Sequence, residues 1–242
     1  ADSLAGTAYE DRLFGLAGND TLNGAEGDDY LEGGPGADSI IGGTGKDTAS
    51  YASSSAGVFV RLWNPLVYGG DAEGDTLSGI DNLIGSEFGD HFDANASNNI
   101  LFGLGGNDTI YGLQGADYID YGAGDDNGTG GTGAGPMLGG EGNDTLFGGE
   151  GNDYVDGGPG NDHVRGNEGD DTVLGGDGDD DVTSGDGRDY VDGGAGNDTI
   201  WAGQHDDTVY GGSGNDRIDA AGGNDLITGG KGNDTLIGGS GS

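Results

Sequence analysis

A nine-residue repeat dominates this sequence and constrains its fold more than any other feature. From Gly139 to Ile237 the chain reads as eleven consecutive nonapeptides with no shift in frame. Their rule is Gly-Gly-x-Gly-x-Asp-x-U-x, in which U is an aliphatic residue, and all eleven keep the Asp and the aliphatic residue. Acidic and apolar side chains that keep separate, fixed phases predict a solenoid, in which each coil repeats the contacts of the coil before it.

The repeat frame divides the chain into two blocks and a spacer. Residues 1–49 form the first block of nonapeptides, and residues 50–80 form an apolar spacer in which the period fails. The frame resumes at Asp81, so that residues 81–242 form the second block. In each repeat we expect the first six positions to turn the chain and the last three to form a short strand with its aliphatic residue inside.

Composition taken without the repeat would predict disorder. The 242 residues include 61 Gly, only 31% are hydrophobic, and the net charge is -38, which is a balance typical of disordered chains. One buried aliphatic side chain per repeat contributes about 1.5–3 kcal/mol, while Gly loses more conformational freedom on folding than any other residue. Because the chain also lacks cysteine for disulfides, we expect it to fold only when ions bind.

The nonapeptide resembles the calcium-binding repeat of RTX proteins, the repeats-in-toxin or hemolysin-type family. The resemblance covers the whole chain, and it rests on many repeats in phase rather than on one short motif. It implies an all-β fold, a right-handed parallel β-roll (a β-helix or solenoid) with two nonapeptides per coil. In that family a calcium ion lies between successive turns on one edge, bound by the Asp of both turns and by turn carbonyls of Gly.

The chemistry of the turns agrees with this resemblance. Two repeats per coil would place Asp residues 18 apart at a spacing of about 4.8 Å, where like charges repel and oppose folding. Carboxylate and carbonyl oxygens favour Ca²⁺ over Zn²⁺. The gaps between turns predict about 15–19 Ca²⁺ ions, nearly enough to cancel the net charge of -38.

Carried onto this sequence, the resemblance implies two sets of metal ligands. The carboxylate ligands are Asp20, Asp29, Asp38, Asp47, Asp90, Asp108, Asp117, Asp126, Asp144, Asp153, Asp162, Asp171, Asp180, Asp189, Asp198, Asp207, Asp216, Asp225 and Asp234. The glycines of the turns that supply carbonyls are Gly140, Gly142, Gly149, Gly151, Gly158, Gly160, Gly169, Gly176, Gly178, Gly187, Gly194, Gly196, Gly212, Gly214, Gly223, Gly230 and Gly232.

Departures from the repeat predict weak points. Asn99 and Gly135 replace the acid and fall on the same edge, so weak or empty sites are expected there and an unbroken ion column on the other edge. His205 replaces a turn glycine and makes its site the most doubtful. The eroded segment 127–137 is expected to be a loose coil or hinge.

The spacer is the most apolar part of the chain. Val58, Val60 and Leu62 alternate with other residues, which is typical of a strand. A turn at Asn64-Pro65 and a return strand complete a predicted hairpin that covers an end of a roll or bridges two rolls. The alternative is a carbohydrate- or partner-binding face around Trp63 and Tyr68.

Several function classes are disfavoured. The three histidines are scattered, and the chain has no HExxH motif, no GxSxG elbow and no phosphate-binding loop, so we expect that it is not an enzyme. His163 is interpreted as a solvated surface residue. The acidic charge disfavours nucleic acid, no apolar run is long enough for membrane insertion, no signal peptide is recognised, and no regular Thr array favours ice binding.

We therefore expect a calcium-binding, calcium-folded structural module of a secreted or cell-surface bacterial protein, such as a surface-layer, fibre or adhesin segment exported by the type I route. The alternative is a non-catalytic accessory or secretion domain of a larger type I-secreted enzyme or toxin, such as a protease, lipase or epimerase. Besides calcium, the expected partners are other rolls, end to end or side by side, and surface polysaccharide. The sequence stops within a repeat, which predicts that it is part of a longer chain.

Overall fold

The computed structural model describes residues 1–241, which fold almost entirely as short β-strands. These residues form 27 strands, one 3-10 turn at Gly70–Ala72 and no α-helix. In chain order the strands are β1 (Ser3–Ala5), β2 (Arg12–Phe14), β3 (Thr21–Glu26), β4 (Tyr30–Glu32), β5 (Ser39–Thr44), β6 (Thr48–Ser50), β7 (Phe59–Arg61), β8 (Leu66–Tyr68), β9 (Thr76–Ser78), β10 (Asn82–Ile84), β11 (His91–Asp93), β12 (Ile100–Phe102), β13 (Thr109–Tyr111), β14 (Tyr118–Ala123), β15 (Asn127–Thr132), β16 (Pro136–Glu141), β17 (Thr145–Glu150), β18 (Tyr154–Pro159), β19 (His163–Glu168), β20 (Thr172–Asp177), β21 (Asp181–Asp186), β22 (Tyr190–Ala195), β23 (Thr199–Gln204), β24 (Thr208–Ser213), β25 (Arg217–Asp219), β26 (Leu226–Lys231) and β27 (Thr235–Ile237).

The strands form three sheets on the two faces of a parallel β-roll. One face is a single sheet of 12 strands, here called the long sheet, in the order β2-β4-β6-β10-β12-β14-β16-β18-β20-β22-β24-β26. The other face is divided into the N-terminal sheet, in the order β1-β3-β5-β9, and the partner sheet, in the order β27-β25-β23-β21-β19-β17-β15-β13-β11-β7-β8. The all-β parallel roll expected from the repeat is therefore confirmed.

Neighbouring strands on one face are 18 residues apart in the sequence. Leu146 pairs with Val164, and Val164 pairs with Val182, so two nonapeptides make one coil as predicted. Successive repeats thus alternate between the two faces. The aliphatic residues of both faces point into one thin core, and every one from Leu146 to Ile218 is buried.

The strands extend further than the expected three residues. Every strand from β14 to β24 has six residues, because the second and third positions of each turn also pair between coils. Gly149 pairs with Asn167, and Glu150 pairs with Glu168. The turn is therefore shorter than predicted, and its backbone is stacked in register with the turns before and after it.

The spacer contains the predicted hairpin. Strands β7 and β8 are antiparallel, with Val60 opposite Val67, and they are the only antiparallel pair within residues 1–241. Val58, Val60 and Leu62 are buried in the core. The rings of Phe59 and Tyr68 stack at a centroid distance of 4.5 Å on the outer surface, so the hairpin supplies both core and a capping surface.

The long sheet continues past the spacer without interruption. Strand β6 pairs with β10, and Ala49 lies opposite Leu83, 34 residues later. On the opposite face the N-terminal sheet ends at β9, and the partner sheet begins at the β7–β8 hairpin. The repeats on either side of the spacer are thus joined through one shared sheet rather than separated into two rolls.

The segment 127–137 is paired on both sides, so the expectation of a loose coil or hinge is wrong for this structure. The missing aliphatic residue at Gly128 is compensated by Tyr121, which is fully buried and donates a hydrogen bond from its hydroxyl to the carbonyl of Ile110. The Tyr121 hydroxyl occupies the space that a side chain at Gly128 would fill. Met137 is also buried and completes the core of the next coil.

Candidate metal-binding turns

The acidic residues of the turns form two columns along the edges of the roll. Each lies at the end of a turn, one residue before a strand. The Asp144 column leads into the N-terminal and partner sheets and contains Asp2, Asp20, Asp38, Asp75, Asp90, Asp108, Asp126, Asp144, Asp162, Asp180, Asp198, Asp216 and Asp234. The Asp153 column leads into the long sheet and contains Asp11, Asp29, Asp47, Asp81, Asn99, Asp117, Gly135, Asp153, Asp171, Asp189, Asp207 and Asp225.

One carboxylate oxygen of each Asp connects consecutive coils. The backbone N–H of Asp144 donates to Oδ1 of Asp162 at 2.8 Å, and the N–H of Asp162 donates to Oδ1 of Asp180 at 2.8 Å. In the same way, Oδ1 accepts from the backbone N–H of the column residue 18 positions earlier in 14 further Asp residues. These are Asp29, Asp38, Asp47, Asp108, Asp117, Asp126, Asp144, Asp171, Asp189, Asp198, Asp207, Asp216, Asp225 and Asp234. Charge-assisted hydrogen bonds of this kind run without a break from Asp90 to Asp234 in one column and from Asp153 to Asp225 in the other.

The second carboxylate oxygen has no partner in the protein. In 17 of the Asp residues Oδ2 is buried and makes no hydrogen bond, whereas buried polar atoms are almost always satisfied. A buried anionic oxygen in this state strongly destabilises a fold. These residues are Asp20, Asp29, Asp38, Asp47, Asp108, Asp117, Asp126, Asp144, Asp153, Asp162, Asp171, Asp180, Asp189, Asp198, Asp207, Asp216 and Asp225.

Main-chain carbonyls lie beside these unpaired oxygens. A Cβ on Gly139 would be 2.4 Å from Oδ2 of Asp144 and 2.3 Å from the carbonyl oxygen of Gly157 in the next coil. A side chain at the first position of the repeat would thus meet two oxygens, although the buried Ser184, Ala202 and Ala220 show that a small one is accommodated in some coils. Sequence reasoning did not include these first-position carbonyls, since their direction depends on how coils stack.

The predicted carbonyl donors occupy the second and fourth positions of the turns. All of them have a positive φ, such as 103° at Gly140 and 135° at Gly142, a conformation that Gly adopts at no steric cost. The carbonyl oxygen of Gly142 would lie 1.6 Å from a Cβ on Gly160. The turns thus stack their backbones closely, with carbonyl oxygens at each level.

This oxygen-rich arrangement fits calcium. No group of three or more His, Cys, Asp and Glu side chains within residues 1–241 is placed to hold a metal ion. The oxygen atoms in the turns are those of the column carboxylates and of main-chain carbonyls. Calcium accepts six to eight oxygen ligands in flexible geometry, including backbone carbonyls. The unpaired Oδ2 atoms and adjacent carbonyls supply that donor set, and the bound cation would remove the repulsion within each column.

Burial changes the acidity of the column carboxylates. It raises the pKa of Asp108 to about 8 and that of Asp144 to about 7. For Asp144 the hydrogen bond from the Asp126 N–H opposes this shift, and the negative charges of Asp126 and Asp162 add to it. Without a cation, the folded roll therefore favours protonated carboxyl groups near neutral pH.

Acid is expected to promote folding of the calcium-free chain. The pKa of Asp144 and Asp162 is about 7 in the folded roll and near 3.8 when exposed. The folded state thus binds more protons between these two pKa values, and this stabilisation is lost as pH rises from about 4 to about 7. Circular dichroism in EDTA should show more β-structure at pH 5 than at pH 8. An unchanged spectrum across this range would contradict the burial of ionisable carboxyls.

The two replaced acids lie in the Asp153 column, as expected. Asn99 donates from its side-chain amide to the carbonyl of Asp81, so the place of an anionic oxygen is taken by a donor. Gly135 has no side chain, and only its N–H continues the column, by donating to Oδ1 of Asp153 at 3.2 Å. Weaker calcium binding at these two levels stays a prediction, and this geometry agrees with it.

The turn at His205 keeps the regular column geometry. His205 has a φ of 81°, a conformation in which most side chains are strained. Even so, Oδ1 of Asp207 accepts from the N–H of Asp189 at 2.9 Å, and Oδ2 of Asp207 is unpaired like the others. A weakened calcium site at His205 therefore stays a prediction.

The spacer supplies a column residue that sequence reasoning missed. Oδ1 of Asp75 accepts from the N–H of Asp38 at 2.7 Å, although the two residues are 37 apart. Its Oδ2 accepts a bond from the hydroxyl of Tyr51 at 3.3 Å, so Asp75 is satisfied without an ion. Beyond the spacer, Oδ1 of Asp90 accepts a hydrogen bond from the N–H of Val58. Because Val58 is not a column residue, the Asp144 column is interrupted between Asp75 and Asp90.

The histidines lie outside both columns. His163 contacts Asp181 on the outer surface at 3.2 Å, as expected for a surface residue, and His91 contacts Asp93 at 3.2 Å. The ring of His91 also stacks on Phe59 at a centroid distance of 4.6 Å. These histidines stabilise the outer face of the partner sheet.

A parallel roll that stacks buried carboxylates beside turn carbonyls is a calcium-binding repeat module. The family model for the RTX calcium-binding nonapeptide repeat, which contains four copies, matches residues 1–31, 23–50, 75–109, 93–127, 129–164, 156–191, 183–218 and 210–242. The chain therefore belongs to the RTX calcium-binding nonapeptide repeat family. No curated protein matches the chain. Within residues 1–241 no helix is long and apolar enough to cross a membrane.

Proposed function

We infer that this chain is a calcium-folded structural module of a secreted or cell-surface bacterial protein. The observation that carries the proposal is the set of 17 buried, unpaired carboxylate oxygens in the turns. They make the fold dependent on a cation that is scarce inside cells and abundant outside them. About 15–19 ions would bind along the two columns and make the roll a rigid spacer within a surface-layer, fibre or adhesin protein.

The charge of the chain suits export before folding. With a net charge of -38 the ion-free chain repels itself and stays extended. Export in this form by the type I route would be followed by folding in external calcium. The membership in the RTX family supports this context, because such repeats are typical of secreted bacterial proteins.

The second candidate is a non-catalytic accessory domain of a larger type I-secreted enzyme or toxin. The membership in the RTX family supports this role as well as the structural one. A catalytic domain elsewhere in the parent protein would select this candidate over the purely structural one. Association of rolls end to end or side by side stays a prediction.

Localisation in the producing cells tests the proposal directly. An antibody against the folded roll should detect the protein on intact cells or in the culture medium, and external protease with EDTA should remove the cell-bound signal. Protease in millimolar calcium should act far more slowly, because the folded roll protects its backbone. A signal confined to the cytosol would overturn the extracellular role.

A further inference from the structure

The outer surface of the partner sheet contains an open groove beside Trp201. The groove has a volume of about 600 Å³ and is lined by Arg165, Asn167, Glu168, Thr183, Trp201 and Gln204, together with nearby glycines. This volume is within the range of about 300–1,000 Å³ that is typical of small-molecule sites. None of the column aspartates lines the groove, although several of its residues belong to the turns that lead to the Asp153 column.

Strand register explains why a groove forms at this place. Thr183 pairs with Arg165 on one side and with Trp201 on the other. The two large side chains are therefore two strand spacings apart, about 9.6 Å. The small Thr183 between them forms the floor. Trp201 is 57% exposed, so its indole ring is a free wall rather than a part of the core.

One turn residue beside the groove departs from the repeat at a cost to the fold. Asn167 has a φ of 81° where its neighbours Gly149 and Gly185, in the adjacent coils, satisfy the same geometry without strain. A side chain in this conformation costs on the order of 1 kcal/mol or more. The calcium column does not need it, but it adds an amide to the groove.

The polar side chains around the groove are free to bind a ligand. Within residues 1–241, the side chains of Asn167, Glu168 and Gln204 make no hydrogen bond. Arg165 is held over the ring of Phe147 at 5.5 Å, which leaves its N–H groups directed to solvent. The groove thus combines one aromatic wall with amide, carboxylate and guanidinium groups.

We propose that this groove binds a pyranose residue of an uncharged polysaccharide. The C–H groups on one face of a pyranose ring carry a partial positive charge and pack on the negative face of the indole of Trp201. The ring hydroxyls both donate and accept, and they match Asn167, Gln204 and Glu168 in the groove. Exposed tryptophan together with fixed planar polar groups is suited to this ligand.

The charge of the surroundings selects an uncharged chain. Arg165 is the one cation of the groove, and Glu168 and Asp186 at its rim provide two negative charges. A uronate or sulfated polysaccharide would be repelled by these two carboxylates, and the groove is open at the surface, so it admits one residue of a longer chain.

Tryptophan fluorescence provides a local test. The chain has two tryptophans, so in a Trp63→Phe background only Trp201 reports. With the roll folded in millimolar calcium, cellohexaose, mannohexaose and laminarihexaose are titrated separately, and oligogalacturonate is used as an anionic comparison. We expect a saturable blue shift with at least one neutral oligosaccharide and none with oligogalacturonate.

Three variants locate the site. Thr183→Phe fills the floor without removing any polar group and should lower affinity at least about tenfold, as should Arg165→Ala. Trp201→Ala, assayed by calorimetry, should have the same effect. Tyr190→Ala is the matched control, because that exposed aromatic residue lies on the long sheet, on the opposite face of the roll, and affinity should stay unchanged.

The result separates this proposal from that of a calcium-folded module. Circular dichroism of the same samples reports whether calcium folds the chain, independently of sugar. Folded protein that binds no neutral oligosaccharide, or that binds only oligogalacturonate, would overturn the groove proposal and leave the calcium role intact. Binding that survives Thr183→Phe would also overturn it.

Discussion

Removal of calcium is expected to convert the roll into an unfolded, extended chain. In the folded state 17 carboxylate oxygens are buried without partners, and without cations their charges repel along both columns. The core cannot offset this, because each repeat buries a single aliphatic side chain. Circular dichroism at pH 8 should change from a β spectrum in millimolar calcium to a coil spectrum in excess EDTA, with a cooperative return when calcium is added.

Magnesium is the matched control for this experiment. It demands near-ideal octahedral geometry and releases its waters reluctantly, so it should not restore the fold at equal concentration. Small-angle scattering should show the same transition as a fall in radius of gyration when calcium is added. A chain that stays β-structured in EDTA at pH 8 would show that the columns do not depend on cations.

Replacement of Asp162 by Asn should destabilise the fold when calcium is present and stabilise it when calcium is absent. Asp162 lies in the middle of its column, between Asp144 and Asp180, so its carboxylate would contribute to the calcium sites on both sides. Asn retains the acceptor for the Asp144 N–H, which donates at 2.8 Å, but loses the anionic oxygen. At a calcium concentration about 100-fold above Kd each site contributes about 2.7 kcal/mol, so loss of two sites costs about 5 kcal/mol.

Without calcium the same exchange should stabilise the fold, because a buried unpaired charge is replaced by an amide. Asn99 shows how such an amide is satisfied, by donation to the carbonyl of Asp81. Urea unfolding of Asp162→Asn in calcium and at pH 8 in EDTA measures both signs, and calorimetry should show about two fewer ions. The control is Asp179→Asn, since Asp179 is exposed on the outside of the turn. Equal effects of the two exchanges would contradict the column assignment.

The regular part of this structure could be predicted from the sequence because one rule repeats. An aliphatic residue two positions after each Asp fixes which side faces the core, and a period of nine fixes the register of Leu146 with Val164. The hairpin was also predictable, since the alternation at Val58, Val60 and Leu62 is a local signal. These features depend on neighbours in sequence or on exact periodicity.

The features that were missed depend on contacts between distant residues. Asp75 joins a column although it is 37 residues from Asp38, and its only sequence signal is a Gly-Asp-Thr-Leu segment out of frame. The firm pairing around Gly128 depends on Tyr121, which occupies a position where the repeat calls for Gly. Such compensations arise when two departures from a pattern fit each other in space, and neither is informative alone.

The column hydrogen bonds all run in one direction, which makes the two ends of the roll chemically different. The carboxylate of Asp162 accepts from the coil that precedes it, and the N–H of Asp162 donates to the carboxylate of Asp180 in the coil that follows. The N-terminal end of the roll therefore leaves carboxylate acceptors open, whereas its C-terminal end leaves N–H donors open. The two ends are thus not equivalent surfaces, and a coil added at either end meets the opposite half of the same hydrogen bond.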